Sequence, residues 1–394
     1  MQKFKTKCLK KAWKRFQQEA DKNREYQAFC RREAGWLDDF ALFQAAKREF
    51  KGAAWTKWPE PVRKRDAKAL KELGARLADA AGQVKFEQFL FDEQWQKLHA
   101  YAQEQGIRIF GDMPIFLAGD SADVWAHQEL FDLNPDGTAK TVAGVPPDYF
   151  SATGQLWGNP QYDWAAMKAE NYAWWKKRFR KLFALVDMVR IDHFRGFESY
   201  WEVDGKAETA INGRWQKGPG KPFFDELRRD MGRDLPIIAE DLGIITDAVE
   251  ELRDACGFPG MKVLHFALHF NEQGRLGCVT PENSIVYTGT HDNNTTAGWF
   301  AQDLDDPMRA AVADILHADA DRPQEIARKL VEFAYASHSR LAVVPMQDVL
   351  QLDERSRMNT PGTVGLNWKW RLKPDYLLTA DAAALKKLCQ KYGR

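Results

Sequence analysis

The first part of the chain carries apolar residues at helix-like intervals among many charged ones. From Lys3 to about Leu77, segments such as AWKRFQQEA and LDDFALFQAAKREF repeat this spacing, and Pro59 and Pro61 are the main interruptions. Such spacing places the apolar side chains on one face of a helix. A further helix, KFEQFLFDEQWQKLHAYAQEQG, is predicted beyond this stretch, from Lys85 onward. We therefore predict a helical subdomain over residues 1–83.

The pattern then changes to short apolar runs separated by helical stretches. This alternation is typical of β/α units, so residues 84–394 are predicted to form an α/β domain of the TIM-type (β/α)₈ barrel class with a C-terminal helix. Six runs are candidate strands: IRIFGDMPIF, VDMVRIDHF, LPIIAEDLG, GMKVLHFAL, NSIVYTGTHD and LAVVPMQDVL. Each run carries polar or charged residues toward its C-terminal end, which in a barrel is the end of the strand where the chemistry takes place. A closed barrel needs two more strands than these six.

Composition narrows the range of partners. The 57 Lys and Arg residues against 56 Asp and Glu residues leave a formal charge of +1, which favours neither nucleic acid nor an anionic membrane. The five cysteines are scattered and form no C-x-x-C pair, which argues against a disulfide framework and against a zinc site. No signal-peptide-like apolar region follows the basic first residues, and no run of 18 apolar residues occurs. We predict a soluble cytoplasmic protein with an uncharged or small partner.

One candidate strand ends in two charged residues that share a face. Arg190 and Asp192 are two positions apart, and alternation along a strand points their side chains in the same direction. A guanidinium next to a carboxylate keeps the carboxylate ionised, which suits a nucleophile. A structural ion pair is the alternative explanation for an isolated R-x-D sequence.

A second candidate strand, IIAEDLG, ends in the adjacent carboxylates Glu240 and Asp241. Adjacent residues of a strand point to opposite faces, so only one of the two can face the mouth of a barrel. Beside an ionised Asp192, an inward Glu240 would have a raised pKa, as a general acid requires. The alternative is a helix N-cap, a role that Asp241 could fill.

A third candidate strand leads into THDNNT, where hydrogen-bonding groups are crowded. His291 and Asp292 have no apolar reason to lie there, although a turn, a helix cap or a core histidine would also explain them. The nearby His265 and His269 lie in the strand-like run HFALH, and packing explains that pair better than metal ligation.

Three carboxylates at the ends of three different predicted strands supply what cleavage of a glycosidic bond requires. A retaining mechanism uses two carboxyl groups about 5 Å apart, one as nucleophile and one as acid and then base. The third carboxylate would stabilise the cation-like transition state or hold sugar hydroxyls. No metal ion or organic cofactor is expected, since the carboxylates carry out the chemistry.

Many segments, taken in order, resemble the 4-α-glucanotransferases (amylomaltase or disproportionating enzyme), which form family 77 of the glycoside hydrolases in the α-amylase clan. The similar segments are RIFGDMPIF, DSADVWAH, GVPPDYFSATGQLWGNPQYDW, VRIDHFRGF, IIAEDLG, GMKVLHF, VYTGTHDNNTT and RMNTPGTVGLNWKWR. They extend from near the N-terminus to near the C-terminus. The resemblance implies transfer of a segment of an α-1,4-glucan, including malto-oligosaccharides, to the 4-position of an acceptor.

The resemblance also implies roles for individual residues. It makes Asp192 the nucleophile, Glu240 the general acid and base, and Asp292 the stabiliser of the transition state. Sugar contacts would come from Arg190, His193, His291, Asp112, Asp148, Trp157 and Asn359. For the loop over residues 144–151, plain turn chemistry is the alternative explanation, because Gly and Pro-Pro are expected in any rigid turn.

Two departures from the family pattern stand out. Asn294 lies where the family more often has Asp, a change expected to be mild. Family members begin with two further β/α units that are not recognisable in this sequence, in agreement with the count of six strands. Open barrel edges would favour self-association. The alternatives to a 4-α-glucanotransferase are therefore a related enzyme that mostly hydrolyses and a truncated, inactive glucan-binding remnant.

Overall fold

The computed structural model describes residues 2–147, 151–271, 276–379 and 382–394. The chain divides into two compact units, one formed by Met1–Ile237 with Ile245–Leu252 and the other by Ile238–Ile244 with Arg253–Arg394. Each unit combines helices with parallel strands, so the predicted α/β class is confirmed.

The elements of the first unit begin with a series of helices and continue with alternating strands and helices. The helices are α1 (Gln2–Phe16), α2 (Arg24–Glu49), α3 (Glu60–Arg63), α4 (Ala67–Arg76), α5 (Ala78–Glu104), α6 (Ala122–Ala126), α7 (Trp164–Ala169), α8 (Ala173–Phe183), α9 (Gly220–Met231) and α10 (Asp247–Ala255). The strands are β1 (Phe110–Pro114), β2 (Thr141–Val145), β3 (Gln155–Pro160), β4 (Met188–Asp192), β5 (Ser199–Asp204), β6 (Gly213–Lys217) and β7 (Ile237–Ala239). The boundary between the units passes within β7 and within α10.

The N-terminal helices pack around a cluster of aromatic rings. The side chain of Asn23 caps α2 by accepting from the backbone N–H of Tyr26 over 2.8 Å. Tyr26 and Phe29 of α2 then bury their rings against Phe86 and Phe89 of α5. The helices predicted for this stretch are thus present. The predicted boundary between residues 83 and 84 lies inside α5, and the division into 1–83 and 84–394 stays a prediction.

A parallel pair of strands forms the central part of the first unit. In the pairing of β1 with β4, Asp112 lies opposite Arg190 and Pro114 lies opposite Asp192. On the other side of β4, the backbone N–H of Val189 donates to the carbonyl of Pro236 over 2.9 Å, just before β7 begins. The carboxyl ends of these strands therefore lie at one edge, as in other parallel α/β sheets.

A second, antiparallel sheet in the same unit was not predicted from the sequence. Its strand order is β3–β2–β5–β6. The N-terminal part of β3 is exposed and its last residue, Pro160, is buried, whereas the middle residues of β2 are buried. Alternation of apolar and polar residues is weak in strands of this kind, and this explains why they were missed.

The second unit continues the alternation of strands and helices. Its helices are α11 (Leu264–Ala267), α12 (Thr296–Gly298), α13 (Asp306–Leu316), α14 (Pro323–Ala336), α15 (Met346–Val349), α16 (Pro374–Thr379) and α17 (Ala382–Tyr392). Its strands are β8 (Gly260–Val263), β9 (His269–Phe270), β10 (Leu276–Gly277), β11 (Ser284–Tyr287) and β12 (Leu341–Val343). A π-helical turn, Trp299–Asp303, follows α12 directly.

In this unit β11 pairs in parallel with β8 on one side and with β12 on the other. All six runs predicted as strands therefore contain a strand, namely β1, β4, β7, β8, β11 and β12. The run GMKVLHFAL is a strand only as far as Val263, because Leu264–Ala267 forms a helical turn. The expectation that HFALH is strand-like was therefore wrong, since a short apolar run does not distinguish a strand from a buried helical turn.

Two further expectations concern closure of the barrel and membrane-spanning helices. Closure of the six parallel strands in a (β/α)₈ barrel stays a prediction. None of the helices in the described ranges has both the length and the apolar character that a membrane crossing requires.

Candidate active site

The ends of β1 and β4 bring three charged side chains of the first unit together. Arg190 donates from Nε and Nη2 to the two carboxylate oxygens of Asp112, over 2.9 and 2.8 Å. Its Nη2 also donates to Oδ1 of Asp192 over 3.0 Å. The strand pairing explains this meeting, because Asp112 lies opposite Arg190 and because Arg190 and Asp192 share one face of β4. The predicted shared face is confirmed.

The exposure of these side chains decides what they can do. The side chain of Arg190 is 12% exposed, whereas that of Asp192 is 45% exposed. Because Asp112 grips the planar guanidinium with both oxygens, Arg190 is fixed in orientation beside Asp192. The charge of Asp192 is thus compensated on one side while its carboxylate stays accessible to a ligand. A nucleophile needs such access, whereas a purely structural ion pair does not.

His193 and Trp157 form an aromatic corner beside β4. His193 has a left-handed backbone conformation, with φ of 55°, and its ring centroid lies 4.8 Å from that of Trp157, with the planes at 84°. Desolvation and the positive charge of Arg195 lower the pKa of His193 to about 3, so its imidazole is neutral at neutral pH. Trp157 on β3 is 38% exposed, in contrast to core tryptophans such as Trp55 and Trp125. The indole of Trp157 is therefore available for contact with a ligand.

In the second unit, the adjacent carboxylates after β7 have separate surroundings. Asp241 accepts from Nη1 of Arg253 over 2.5 Å and from the backbone N–H of Met261 over 2.7 Å, and its side chain is 2% exposed. Glu240 accepts from the backbone N–H of Leu242 over 2.8 Å. Asp241 is therefore a buried structural residue. The alternative in which it caps a helix was wrong, because its carboxylate is already bound to Arg253 and to β8.

His291 and Asp292 lie on the loop formed by residues 288–296, between β11 and α12. The loop is shaped by Asn293, whose side-chain oxygen accepts from both the backbone N–H and the hydroxyl of Thr290, over 2.9 and 2.8 Å. The hydroxyl of Thr290 in turn accepts from the backbone N–H of Asp292 over 3.3 Å. These short-range bonds form a turn, as one of the alternative explanations proposed. Nε2 of His291 lies 3.5 Å from Oδ2 of Asp292.

A segment far along the chain, residues 357–368, holds this turn from the other side. Asn359 donates from its side-chain amide to Oδ1 of Asp292 over 2.6 Å, and its backbone N–H donates to the carbonyl of His291 over 3.1 Å. Arg357 donates to the carbonyl of Asp292 over 2.7 Å. The ring of Trp368 lies 5.1 Å from that of His291. The turn is thus fixed by hydrogen bonds to both its backbone and its carboxylate.

The predictions also concern Asp148, Asn294 and the binding of metal ions. Asp148 lies outside the described residues. The buried Asn294 donates to the carboxylate of Asp303, over 3.3 Å for the shorter of two contacts. Within the parts of the chain that the structure describes, no group of three or more His, Cys, Asp or Glu side chains is arranged to hold a metal ion.

The sequence of the chain matches a known family of enzymes. A sequence model of a family of glycoside hydrolases, family 77, described as 4-alpha-glucanotransferase, matches residues 1–378. The chain belongs to the 4-alpha-glucanotransferase family. The resemblance drawn from the sequence motifs is thereby confirmed.

Individual members of the 4-alpha-glucanotransferase family are similar over almost all of this chain. The 4-alpha-glucanotransferase of Synechocystis sp. is 46% identical over 399 residues, which cover 99% of this chain and 78% of that protein. The 4-alpha-glucanotransferase of Thermus thermophilus is 45% identical over 399 residues, covering 98% and 79%. Among solved structures, the amylomaltase from Streptococcus agalactiae in complex with acarbose gives a TM-score of 0.92 at 38% identity, covering 98% of this chain and 78% of that one.

Sequence reasoning missed several residues that shape the site of this 4-alpha-glucanotransferase family member. Arg357 and Trp368 both lie in the motif RMNTPGTVGLNWKWR, from which only Asn359 was taken as a ligand contact. Their contacts with residues 291 and 292 join positions more than 60 apart, so no local pattern indicates them. The motif itself was the available signal, because Arg and Trp side chains outside an apolar run often bind polar or aromatic partners.

Proposed function

We propose that this chain is a 4-α-glucanotransferase that acts by a retaining double displacement on malto-oligosaccharides and longer α-1,4-glucans. Asp192 attacks the anomeric carbon, Glu240 protonates the leaving oxygen and then deprotonates the acceptor, and Asp292 stabilises the positive charge of the transition state. In this proposal the parallel strands are those of a TIM-type barrel, and the reaction takes place in the cytoplasm.

One observation carries the assignment of the nucleophile. Asp192 is an accessible carboxylate at the carboxyl end of a parallel strand, with its charge compensated by a guanidinium that Asp112 fixes in place. Attack by a carboxylate requires both access to the ligand and an ionised oxygen. The family membership and the relatives named 4-alpha-glucanotransferase support the same role.

The sugar contacts follow from the same groups. In the proposal, Arg190 and Asp112 bind hydroxyls of the sugar held on Asp192. The aromatic corner of Trp157 and His193 packs against the next sugar ring of the glucan. His291 and Asn359 bind hydroxyls beside Asp292, and Asp148 belongs to the same set. Because the amylomaltase from Streptococcus agalactiae was solved in complex with acarbose, we expect acarbose to bind this chain.

Transfer rather than hydrolysis depends on the acceptor. A bound glucan 4-hydroxyl competes with water, and well-oriented groups reach effective molarities on the order of 10⁵ to 10⁸ M. A transferase therefore needs an acceptor held in line with the glucosyl group on Asp192. An enzyme with a poor acceptor site would release the same intermediate to water.

Incubation with maltotriose, followed by chromatography of the products, tests the proposal. We expect glucose together with a ladder of longer maltodextrins, and a loss of turnover on the order of 10⁴-fold or more in Asp192→Asn, since a nucleophile has been removed. Asp225→Asn is the matched control, because Asp225 is an aspartate of α9 that pairs with Lys221, and it should leave turnover unchanged. Glucose and maltose without longer products would support the hydrolytic alternative, and unchanged maltotriose would refute the proposed function.

A further inference from the structure

Both ends of the 288–296 loop converge on one buried carboxylate that the predicted roles do not include. Thr288 follows β11 and Thr296 begins α12, and their hydroxyls donate to Oδ2 of Asp348 over 2.6 and 2.7 Å. The backbone N–H of Thr296 donates to Oδ1 of Asp348 over 2.8 Å. Asp348 lies on α15, more than 50 residues further along the chain. One side chain thus connects the start and the end of the loop that carries Asp292.

This connection lies completely inside the second unit. Asp348 is 1% exposed, and Thr288 and Thr296 are fully buried. A buried polar group that loses its hydrogen-bond partner is costly in a dry interior. Burial raises the pKa of Asp348, and the three bonds from the two threonines act in the opposite direction. The carboxylate and the loop ends therefore depend on each other.

A histidine supports the same arrangement. Nε2 of His265 lies 3.0 Å from the hydroxyl oxygen of Thr296. Because that hydroxyl donates its proton to Asp348, His265 must be the donor, which fixes the proton on Nε2. Its ring stacks on Trp299, with centroids 4.4 Å apart and planes at 9°. A Cβ on Gly289 would lie 2.8 Å from Cε1 of His265, so the loop backbone rests directly on the imidazole.

We propose that Asp348 is a positioning residue, which fixes both ends of the 288–296 loop and so sets the position of Asp292 in the reaction. The inference rests on the proposed function, because it assigns a role to the support of Asp292. A displacement of about 1 Å in a reacting group can lower a rate by about 10²-fold. Loss of the connection should therefore affect turnover more than substrate binding.

Two substitutions of Thr288 distinguish the effect of its hydrogen bond to Asp348 from the effect of its packing. Thr288→Val keeps the shape of the side chain and removes the hydroxyl, whereas Thr288→Ser keeps the hydroxyl and removes a methyl group. With maltotriose as substrate, we expect kcat to fall by about 10- to 100-fold in Thr288→Val, with KM changed by less than about 3-fold. Thr288→Ser should keep kcat within about 3-fold of the parent, and Asp348→Asn should behave as Thr288→Val does.

The control is a buried hydroxyl pair at the other end of the same strand. The hydroxyls of Ser284 and Ser339 lie 2.7 Å apart and both residues are buried. Ser339→Ala should lower the melting temperature and leave kcat unchanged. Equal kcat in Thr288→Val and the parent would overturn the proposal, as would an equal loss in Thr288→Ser, which would indicate packing and not the hydrogen bond.

Amide hydrogen exchange of residues 289–295 gives a second measurement that does not depend on activity. We expect Thr288→Val and Asp348→Asn to exchange faster than the parent in this peptide, and Ser339→Ala to exchange at the parent rate. If maltodextrins longer than maltotriose are absent from the products of the parent chain, the proposed function fails. The exchange rates still show whether Asp348 fixes the loop. Unchanged exchange in Asp348→Asn would overturn the inference by itself.

Discussion

Acid should destabilise this protein through His265, which is buried against Trp299. Desolvation by burial lowers the pKa of His265 from 6.5 to about 3. The folded state therefore keeps the imidazole neutral over a pH range in which the unfolded chain binds a proton. As the pH falls below 6.5, protonation favours the unfolded state, and the loss of stability continues until the pH reaches the folded-state pKa.

The size of the effect follows from the two pKa values. Between pH 7 and pH 5, a group with a pKa of 6.5 in the unfolded chain and about 3 in the folded chain lowers the free energy of unfolding by about 2 kcal/mol. Each further pH unit down to the folded-state pKa removes about 1.4 kcal/mol more. A change of this size is a large fraction of the stability of a typical domain.

Urea unfolding followed by tryptophan fluorescence at pH 7 and pH 5 measures the effect, and His265→Gln isolates it. The pH-dependent loss of stability should be smaller by about 2 kcal/mol in His265→Gln than in the parent. His338→Gln makes the same change at an exposed histidine of the same unit and should leave the parent's pH dependence intact. Equal pH dependence in His265→Gln and the parent would show that the buried imidazole does not stay neutral.

Two further substitutions test the charged groups of the candidate site. Asn359→Ala removes the amide that donates to the carboxylate of Asp292. We expect kcat on maltotriose to fall by about 10- to 100-fold, since hydrogen bonds to charged groups contribute about 1.5 to 3 kcal/mol. An unchanged kcat would show that Asn359 is not part of the site. Arg190→Lys replaces the bidentate guanidinium bond to Asp112 with a single ammonium. Steady-state kinetics should show a loss of kcat/KM of about 10-fold or more. Kinetics like those of the parent would mean that the fixed guanidinium is not needed.

The strands and their terminal carboxylates could be predicted because they depend on local rules. Alternation along a strand is enough to place Arg190 and Asp192 on one face. Only the partner of Arg190, Asp112, needed the strand pairing itself, which sequence alone does not supply.

The supports of the 288–296 loop could not be predicted, because they come from distant parts of the chain. Asp348 and Asn359 lie more than 50 residues beyond the groups that they bind. In the sequence, Asp348 stands in a run predicted as a strand, LAVVPMQDVL, whereas the strand ends at Val343 and Pro345 is followed by a short helix. A proline at this position favours such a break, since it has no backbone N–H with which to continue the pairing of a strand.

Of the two adjacent carboxylates after β7, Asp241 has a structural role. Asp241 is bound by Arg253 and by the backbone of Met261, and a Cβ on Gly260 would lie 2.3 Å from its Oδ2, so only glycine leaves room for it. These bonds fix the backbone at the end of β7. The backbone of the neighbouring Glu240 is thereby held as well, and the carboxylate of Glu240 accepts from the backbone N–H of Leu242 over 2.8 Å. In the proposed mechanism, the buried ion pair thus helps to hold the general acid Glu240 in place just after a strand of only three residues.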